Sequence, residues 1–156
     1  MRVSAILAGL LSVVGFASTK EFMVEVKQKE EQNYTRLTMV PKDTLKVSLK
    51  ENILTGYNWN IKTVHSNAEN HINLITDLYT PADSELMGAS GMRTFVFSAE
   101  TQGDQVIQLI YARQWELQEM LEKMNGSLVS VETAKKMGYD IDLHTVKVTV
   151  TNASQE

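Results

Sequence analysis

The chain has 156 residues, a length that suits one domain, and its 43% hydrophobic and 22% charged residues are typical of a folded globular protein. Its formal net charge of -4 provides no basic surface of the kind that binds nucleic acid. The absence of cysteine excludes disulfides, thiol catalysis and thiolate metal sites.

The first 17 residues have the pattern of a secretory signal peptide. Arg2 precedes an almost uncharged apolar run from Ala5 to Phe16, and the small residues Gly15 and Ala17 suit cleavage after Ala17. The run is too short for a membrane-spanning helix. We therefore expect a mature domain of residues 18–156 with no membrane attachment, which is secreted or held in lysosome- or phagosome-like vesicles.

Three asparagines begin sequons for N-linked glycosylation: Asn33, Asn125 and Asn152. Each is a candidate glycan site if the protein enters the secretory pathway and the segment is exposed.

Most of the mature chain alternates apolar and polar residues, which is the pattern of half-buried strands. Leu45, Val47 and Leu49 point one way in this pattern, while Lys46 and Lys50 point the other way. The predicted strands are residues 22–26, 34–40, 45–49, 57–63, 71–78, 94–98, 106–112 and 145–151. Short strands with frequent turn signals predict an all-β protein, an immunoglobulin-like antiparallel β-sandwich.

Residues 116–142 interrupt the β pattern, and we call them the excursion. Leu117, Met120, Leu121 and Met124 have helical spacing, and a second, shorter helix is predicted over residues 131–137. The sandwich is therefore expected to carry a short helical insertion before its last strand. We expect the methionines of the insertion to cover the edge of the sandwich and not to bind a ligand.

Three short clusters lie in connections between the predicted strands. They offer glycine-permitted backbone exposure, an arginine and aromatic faces, which suit a surface that grips another protein. The clusters are Asn52, Ile53, Leu54, Thr55, Gly56 and Tyr57; then Gly88, Ala89, Ser90 and Gly91; then Arg113, Gln114 and Trp115.

In order and spacing the clusters resemble the chagasin-type inhibitors of papain-family cysteine peptidases. That family has an Asn-Pro-Thr-Thr-Gly-Tyr/Phe-x-Trp loop, a Gly-x-Gly-Gly loop and an Arg-Pro-Trp loop, in that order. The matching residues are Asn52, Thr55, Gly56, Tyr57, Trp59, Gly88, Gly91, Arg113 and Trp115, and the resemblance covers about Thr38 to Trp115 plus the last strand.

The resemblance implies a reversible inhibitor whose three loops meet at one end of the sandwich and wedge into the peptidase cleft without being cut. All three clusters are then peptidase-binding, and the partner is a papain-family cysteine peptidase bound by a monomer. The three glycines of the clusters, Gly56, Gly88 and Gly91, are expected to allow positive φ angles and a close approach of the backbone to the partner. Arg113 and Trp115 are the expected anchors.

Four positions depart from the family pattern. Ile53 and Leu54 replace a proline and a threonine, Ser90 replaces a glycine, and Gln114 replaces the proline of the third loop. This is therefore a divergent member, and we expect altered potency or target preference.

The same residues allow other interpretations. Trp59 lies at the inward phase of its strand, which favours a place in the core. The glycines can serve turn geometry alone, and Arg113 and Trp115 can clamp the excursion that follows them. The alternative function is a secreted immunoglobulin-like adhesion or ligand-binding module that does not inhibit peptidases.

An enzyme is not expected. His65, His71 and His144 have no spacing that enforces a metal site, and we interpret them as solvated turn residues. The chain also lacks the Gly-x-Ser-x-Gly elbow of serine hydrolases. We expect neither a cofactor nor a metal.

Overall fold

The computed structural model describes residues 18–26, 34–65, 69–83 and 86–152. The signal-peptide prediction and the Asn33 sequon lie outside these ranges. The strands are β1 (Glu21–Val26), β2 (Tyr34–Met39), β3 (Thr44–Glu51), β4 (Tyr57–His65), β5 (Ile72–Thr80), β6 (Gly91–Ala99), β7 (Gly103–Arg113) and β8 (Asp142–Val150). The helices are a 3₁₀ turn (Ile53–Thr55), α1 (Gln114–Lys123) and α2 (Val131–Lys136).

The strands form two four-stranded sheets, β1-β3-β6-β5 and β2-β8-β7-β4. This confirms the predicted β-sandwich with a helical insertion before the last strand. Two edges differ from the antiparallel expectation, because β1 runs parallel to β3 and β2 runs parallel to β8. Between β1 and β3 the chain crosses to the other sheet to form β2. No tight hairpin therefore joins β1 to β3, and the two strands need not be antiparallel.

The inner core lies between the two sheets and follows from the alternation in the sequence. Leu45, Val47 and Leu49 are fully buried, and Phe95 and Phe97 pack in the same cluster. Trp59 belongs to this cluster too, as its inward phase predicted. The rigid sandwich therefore places the tryptophan beneath the connection between β3 and β4.

A second core lies on the outer face of β7. Ile107 and Leu109 point into the inner core, whereas Ile110 and Ala112 belong to a separate cluster with the excursion. From α1 this cluster takes Leu117, Met120 and Met124, and from the rest of the excursion Val129, Ala134, Tyr139 and Ile141. The methionines thus cover a face of the sheet and not its edge, because β7 has apolar residues on both sides.

Polar contacts also hold the excursion on the sheet. The buried Gln108 amide donates to the Val129 carbonyl at 2.8 Å and accepts from the Val129 N–H at 2.8 Å, as a neighbouring strand would. Lys62 donates to the Ser127 carbonyl. Burial lowers the pKa of Lys62 below its ordinary value.

The interpretation of His71 and His144 as solvated turn residues is wrong, because both are buried. His144 lies within β8, in phase with the inward-facing Val146, and its ring is 2.9 Å from Thr35 Oγ1. The strand begins before His144, which the sequence pattern did not indicate. His71 packs under Gly103, where an added Cβ would lie 2.4 Å from the imidazole ring.

Over the described residues, no group of three or more His, Asp or Glu side chains is placed to hold a metal ion. Within the same residues, no helix is both long and apolar enough to span a membrane.

Candidate functional site

The structure brings the three clusters together at one end of the sandwich. We call them loop 1 (residues 52–57), loop 2 (residues 86–91) and loop 3 (residues 113–115). Asn52 Nδ2 in loop 1 donates to the Gly88 carbonyl in loop 2 at 3.1 Å. On its other side, loop 1 meets loop 3, because the Trp115 ring is 3.2 Å from the position of a Cβ added to Gly56. Loop 1 therefore contacts both other loops.

Loop 1 is a single 3₁₀ turn fixed by its own side chains. Asn52 Oδ1 accepts from the Leu54 N–H at 3.1 Å, and Thr55 Oγ1 donates to the Asn52 carbonyl at 2.7 Å. The turn ends at Gly56, whose φ of 76° is in the left-handed region that favours glycine. This geometry exposes Ile53 and Leu54 at the tip, and Leu54 is 75% exposed.

The base of loop 1 is tied to the inner core. The fully buried Glu51 carboxylate accepts from the Trp59 N–H at 2.8 Å, and the Trp59 indole donates to the Lys50 carbonyl at 2.9 Å. Arg93 Nη1 lies 3.7 Å from Glu51 Oε1, which places a counter-charge beside the buried carboxylate. These contacts fix the point at which the chain leaves β3.

Aromatic rings continue from that core to the loop surface. The Tyr111 ring lies 5.0 Å from the Trp59 ring and 5.4 Å from the half-buried Tyr57 ring, centroid to centroid. Tyr57 thus supports the loops from beneath.

In loop 2, one of the two glycines that were expected to allow a positive φ angle, Gly91, does not take one. Gly88 has the expected positive φ, 86°, but Gly91 does not and is buried at the start of β6. An added Cβ on Gly91 would lie 2.4 Å from the Thr80 carbonyl oxygen, so close packing is what requires glycine there. Glycine at position 91 is therefore required by the close packing of β6 against β5.

The glycine pattern of loop 2 does not indicate its most exposed apolar side chains. Met87 is fully exposed and Leu86 is 78% exposed, immediately before Gly88. The available signal was two consecutive large apolar residues inside a connection, where polar residues are expected.

Loop 3 is the end of a strand and the start of a helix. Arg113 is the last residue of β7, and Gln114 and Trp115 form the first turn of α1, which begins two residues before the predicted start. The Arg113 guanidinium lies 4.9 Å over the Tyr57 ring and 5.9 Å from the Trp115 ring, and pairs with Glu116 at 3.2 Å. Trp115 is 67% exposed although it rests against loop 1.

A cleft of about 420 Å³ opens beside the loops. Its walls come from loop 1, loop 2, Tyr111 and the end of the excursion at residues 140–142. Ala89 and Ser90 of loop 2 are half-buried, and Ser90 lines this cleft.

The site therefore consists of exposed apolar tips on constrained loops. A backbone that is held by its own hydrogen bonds before binding loses little conformational entropy on association, and exposed apolar and aromatic side chains on it suit a protein partner.

Known proteins share this sequence pattern and this fold. The family described as chagasin family peptidase inhibitor I42 matches residues 38–125. Chagasin of Trypanosoma cruzi is 27% identical over 90 residues, which are 57% of this chain and 82% of chagasin.

Two solved structures resemble this chain. The cysteine protease inhibitor EhICP2 of Entamoeba histolytica superposes with a TM-score of 0.58 at 19% identity, covering 85% of this chain and 97% of that one. PbICP-C, solved in complex with falcipain-2, has a TM-score of 0.47 at 16% identity, covering 83% and 99% of the two chains.

Proposed function

Because the chain belongs to the chagasin family of peptidase inhibitors, we propose that it reversibly blocks papain-family cysteine peptidases by inserting its three-loop end into their active-site cleft. It is an inhibitor of cysteine peptidases and not an enzyme.

The observation that carries the wedge proposal is the placement of three exposed apolar groups around one constrained turn. Leu54 lies at the tip, Met87 belongs to the neighbouring loop on one side, and Trp115 belongs to the loop on the other side. An active-site cleft has two walls and a floor, and these groups supply one contact for each. The large exposed indole is the expected centre of the binding energy.

The shape of loop 1 supports inhibition without cleavage. Its backbone is a 3₁₀ turn closed by Asn52 and Thr55, whereas a peptidase cuts a strand held extended along its cleft. Unwinding the turn to present a peptide bond would break its hydrogen bonds, each of which contributes about 0.5–1.5 kcal/mol.

The departures from the family pattern give this wedge an apolar tip. Leu54 presents an isobutyl group where the family has a hydroxyl, so the contact that the hydroxyl makes in the family becomes apolar or is lost. We propose that the protein prefers peptidases with an apolar surface beside the catalytic residues.

Inhibition assays with the mature chain, residues 18–156, test the proposal. Papain activity is titrated with the wild type, with Trp115→Ala and with Leu128→Ala, which removes another exposed apolar side chain from within the excursion. We expect Trp115→Ala to raise the inhibition constant at least 30-fold, because a central aromatic anchor contributes about 2 kcal/mol or more. Leu128→Ala should leave it unchanged.

Two results contradict the proposal. One is the absence of wild-type inhibition at micromolar concentration, which favours the adhesion-module alternative. The other is an equal increase in the inhibition constant for Trp115→Ala and Leu128→Ala, which would mean that the peptidase contact is not centred on the loops.

We also propose that the protein enters the secretory pathway and is either secreted or held in lysosome- or phagosome-like vesicles, as a monomer with glycans at Asn125 and Asn152. Asn125 is exposed in the turn after α1, and Asn152 is exposed after β8. Expression of the full chain in eukaryotic cells should yield a protein that starts at Ser18 and loses mass on treatment with an N-glycosidase. A protein retained in the cytoplasm with an intact Met1 would contradict this.

A further inference from the structure

The excursion returns to the loop end of the sandwich. At the start of β8, Asp142 pairs with Tyr111 of β7, and the register then runs regularly along both strands. Extending it by two residues brings Asp140 level with Arg113, which is paired on its other side with Tyr57 of β4. The segment 140–142 therefore stands beside β7 at the height of loop 3.

This segment closes the cleft against the loops. Asp140 and Asp142 form part of the wall, and Thr55 of loop 1 and Ser90 of loop 2 line the same space. Asp140 is exposed, whereas Tyr139 and Ile141 on either side of it are buried in the second core. The backbone of the segment is thus anchored while one carboxylate faces the solvent at the mouth of the cleft.

The lining favours a cation. It combines the rings of Tyr57 and Tyr111 with carboxylates and hydroxyl groups, and among the described residues that line it none is basic. Aromatic faces and carboxylates together attract a lysine or arginine, whose apolar stem packs on the rings. The nearby Arg113 guanidinium over Tyr57 is paired with Glu116, which offsets part of its charge.

We infer that residues 140–142 are a fourth contact with the peptidase, and that the cleft they close receives a basic side chain from the rim of the peptidase's active site. This inference rests on the proposed function, because the occupant is the same partner that the loops bind. The excursion then contributes to recognition directly, in addition to covering the sheet.

A charge test uses papain and the variants Asp140→Asn, Asp140→Lys and Glu100→Lys. Glu100 is exposed in the β6–β7 turn, at the opposite end of the sandwich, so Glu100→Lys matches the change in net charge. We expect Asp140→Lys to slow association about tenfold at low salt, Asp140→Asn to slow it less, and high salt to shrink both differences. Equal rates for Asp140→Lys and Glu100→Lys would overturn the basic-side-chain assignment.

A contact test uses the absence of cysteine in the chain. Asp140→Cys and Glu100→Cys each create a single thiol, which is labelled with an environment-sensitive bimane before papain is added. We expect the emission at position 140 to shift on complex formation and the emission at position 100 to stay constant. Normal inhibition with no shift at position 140 overturns the fourth contact, whereas loss of wild-type inhibition would instead remove the proposed function itself.

Discussion

Loops 1 and 3 reach the same end of the molecule, but different forces hold them. Loop 1 is closed by side-chain hydrogen bonds from Asn52 and Thr55. Loop 3 is the first turn of a helix whose Leu117 and Met120 are buried on the outer face of β7. Hydrogen bonds are local and can be removed singly, whereas apolar packing couples a loop to an entire core.

The comparison shows two routes to a rigid binding surface in one small domain. Loop 1 needs few residues but depends on Asn52. Loop 3 depends on the packing of the excursion, and its Trp115 ring rests against Gly56 of loop 1. Substitutions in the second core and in loop 1 distinguish attachment by apolar packing from attachment by hydrogen bonds.

The largest effect is expected from Met120→Ala. Met120 is fully buried in the second core, so truncation removes apolar contacts and leaves a cavity. We expect the free energy of unfolding to fall by about 2–5 kcal/mol, and inhibition to weaken because α1 no longer holds Trp115 in place. Urea unfolding and papain inhibition measure the two effects.

Leu121→Ala is the matched control for Met120→Ala, because Leu121 lies on the same helix but is only partly buried. An equal loss of stability in both variants would mean that the second core does not mount α1 as described.

Gln108→Leu tests the polar attachment of the excursion. It leaves the Val129 N–H and carbonyl without their buried amide partner, at an expected cost of about 2–4 kcal/mol in unfolding free energy. The substitution should accelerate amide hydrogen exchange more in residues 127–130 than in β3. Uniform acceleration over the chain would contradict a separate attachment of the excursion.

Asn52→Ala tests the hydrogen-bonded route. Loss of the cap should cost about 1 kcal/mol of stability, while inhibition falls by a larger factor because the link to loop 2 is lost as well. The matched variant Asn52→Asp retains the acceptor for the Leu54 N–H but has no donor for the Gly88 carbonyl. It should recover thermal stability without recovering inhibition, and recovery of both would show that the link to loop 2 is unimportant.

The smallest effect is expected from Gln114→Pro. Gln114 is the first residue of α1, where proline is favoured, and Arg113 before it has the extended ψ of 131° that proline requires. We expect a gain of about 0.4–1 kcal/mol in unfolding free energy with inhibition retained. Destabilisation, measured by thermal unfolding, would show that loop 3 does not start a helix here.

Local patterns predicted much of this structure. Alternation around Leu45, Val47 and Leu49 gave the strands and the inner core, and the spacing of Leu117, Met120 and Met124 gave a helix. The resemblance identified the three loops, and the fold brings them together.

What the sequence did not predict depends on contacts between distant segments. The parallel pairing of β1 with β3 and the burial of His71 beneath Gly103 leave no local pattern. The exposure of Met87 is a property of the folded loop, since a methionine is equally consistent with a core position. The cleft at Asp140 depends on the return path of the excursion, which spacing alone does not reveal.

The central claim is that the three-loop end occupies the active-site cleft, and alkylation of the catalytic thiol of papain tests it most directly. Because the chain has no cysteine, every alkylated thiol in the mixture belongs to the peptidase. Saturation with residues 18–156 should slow the reaction with iodoacetamide at least tenfold, and Trp115→Ala at the same concentration should protect less. Unchanged alkylation of an inhibited peptidase would contradict the account.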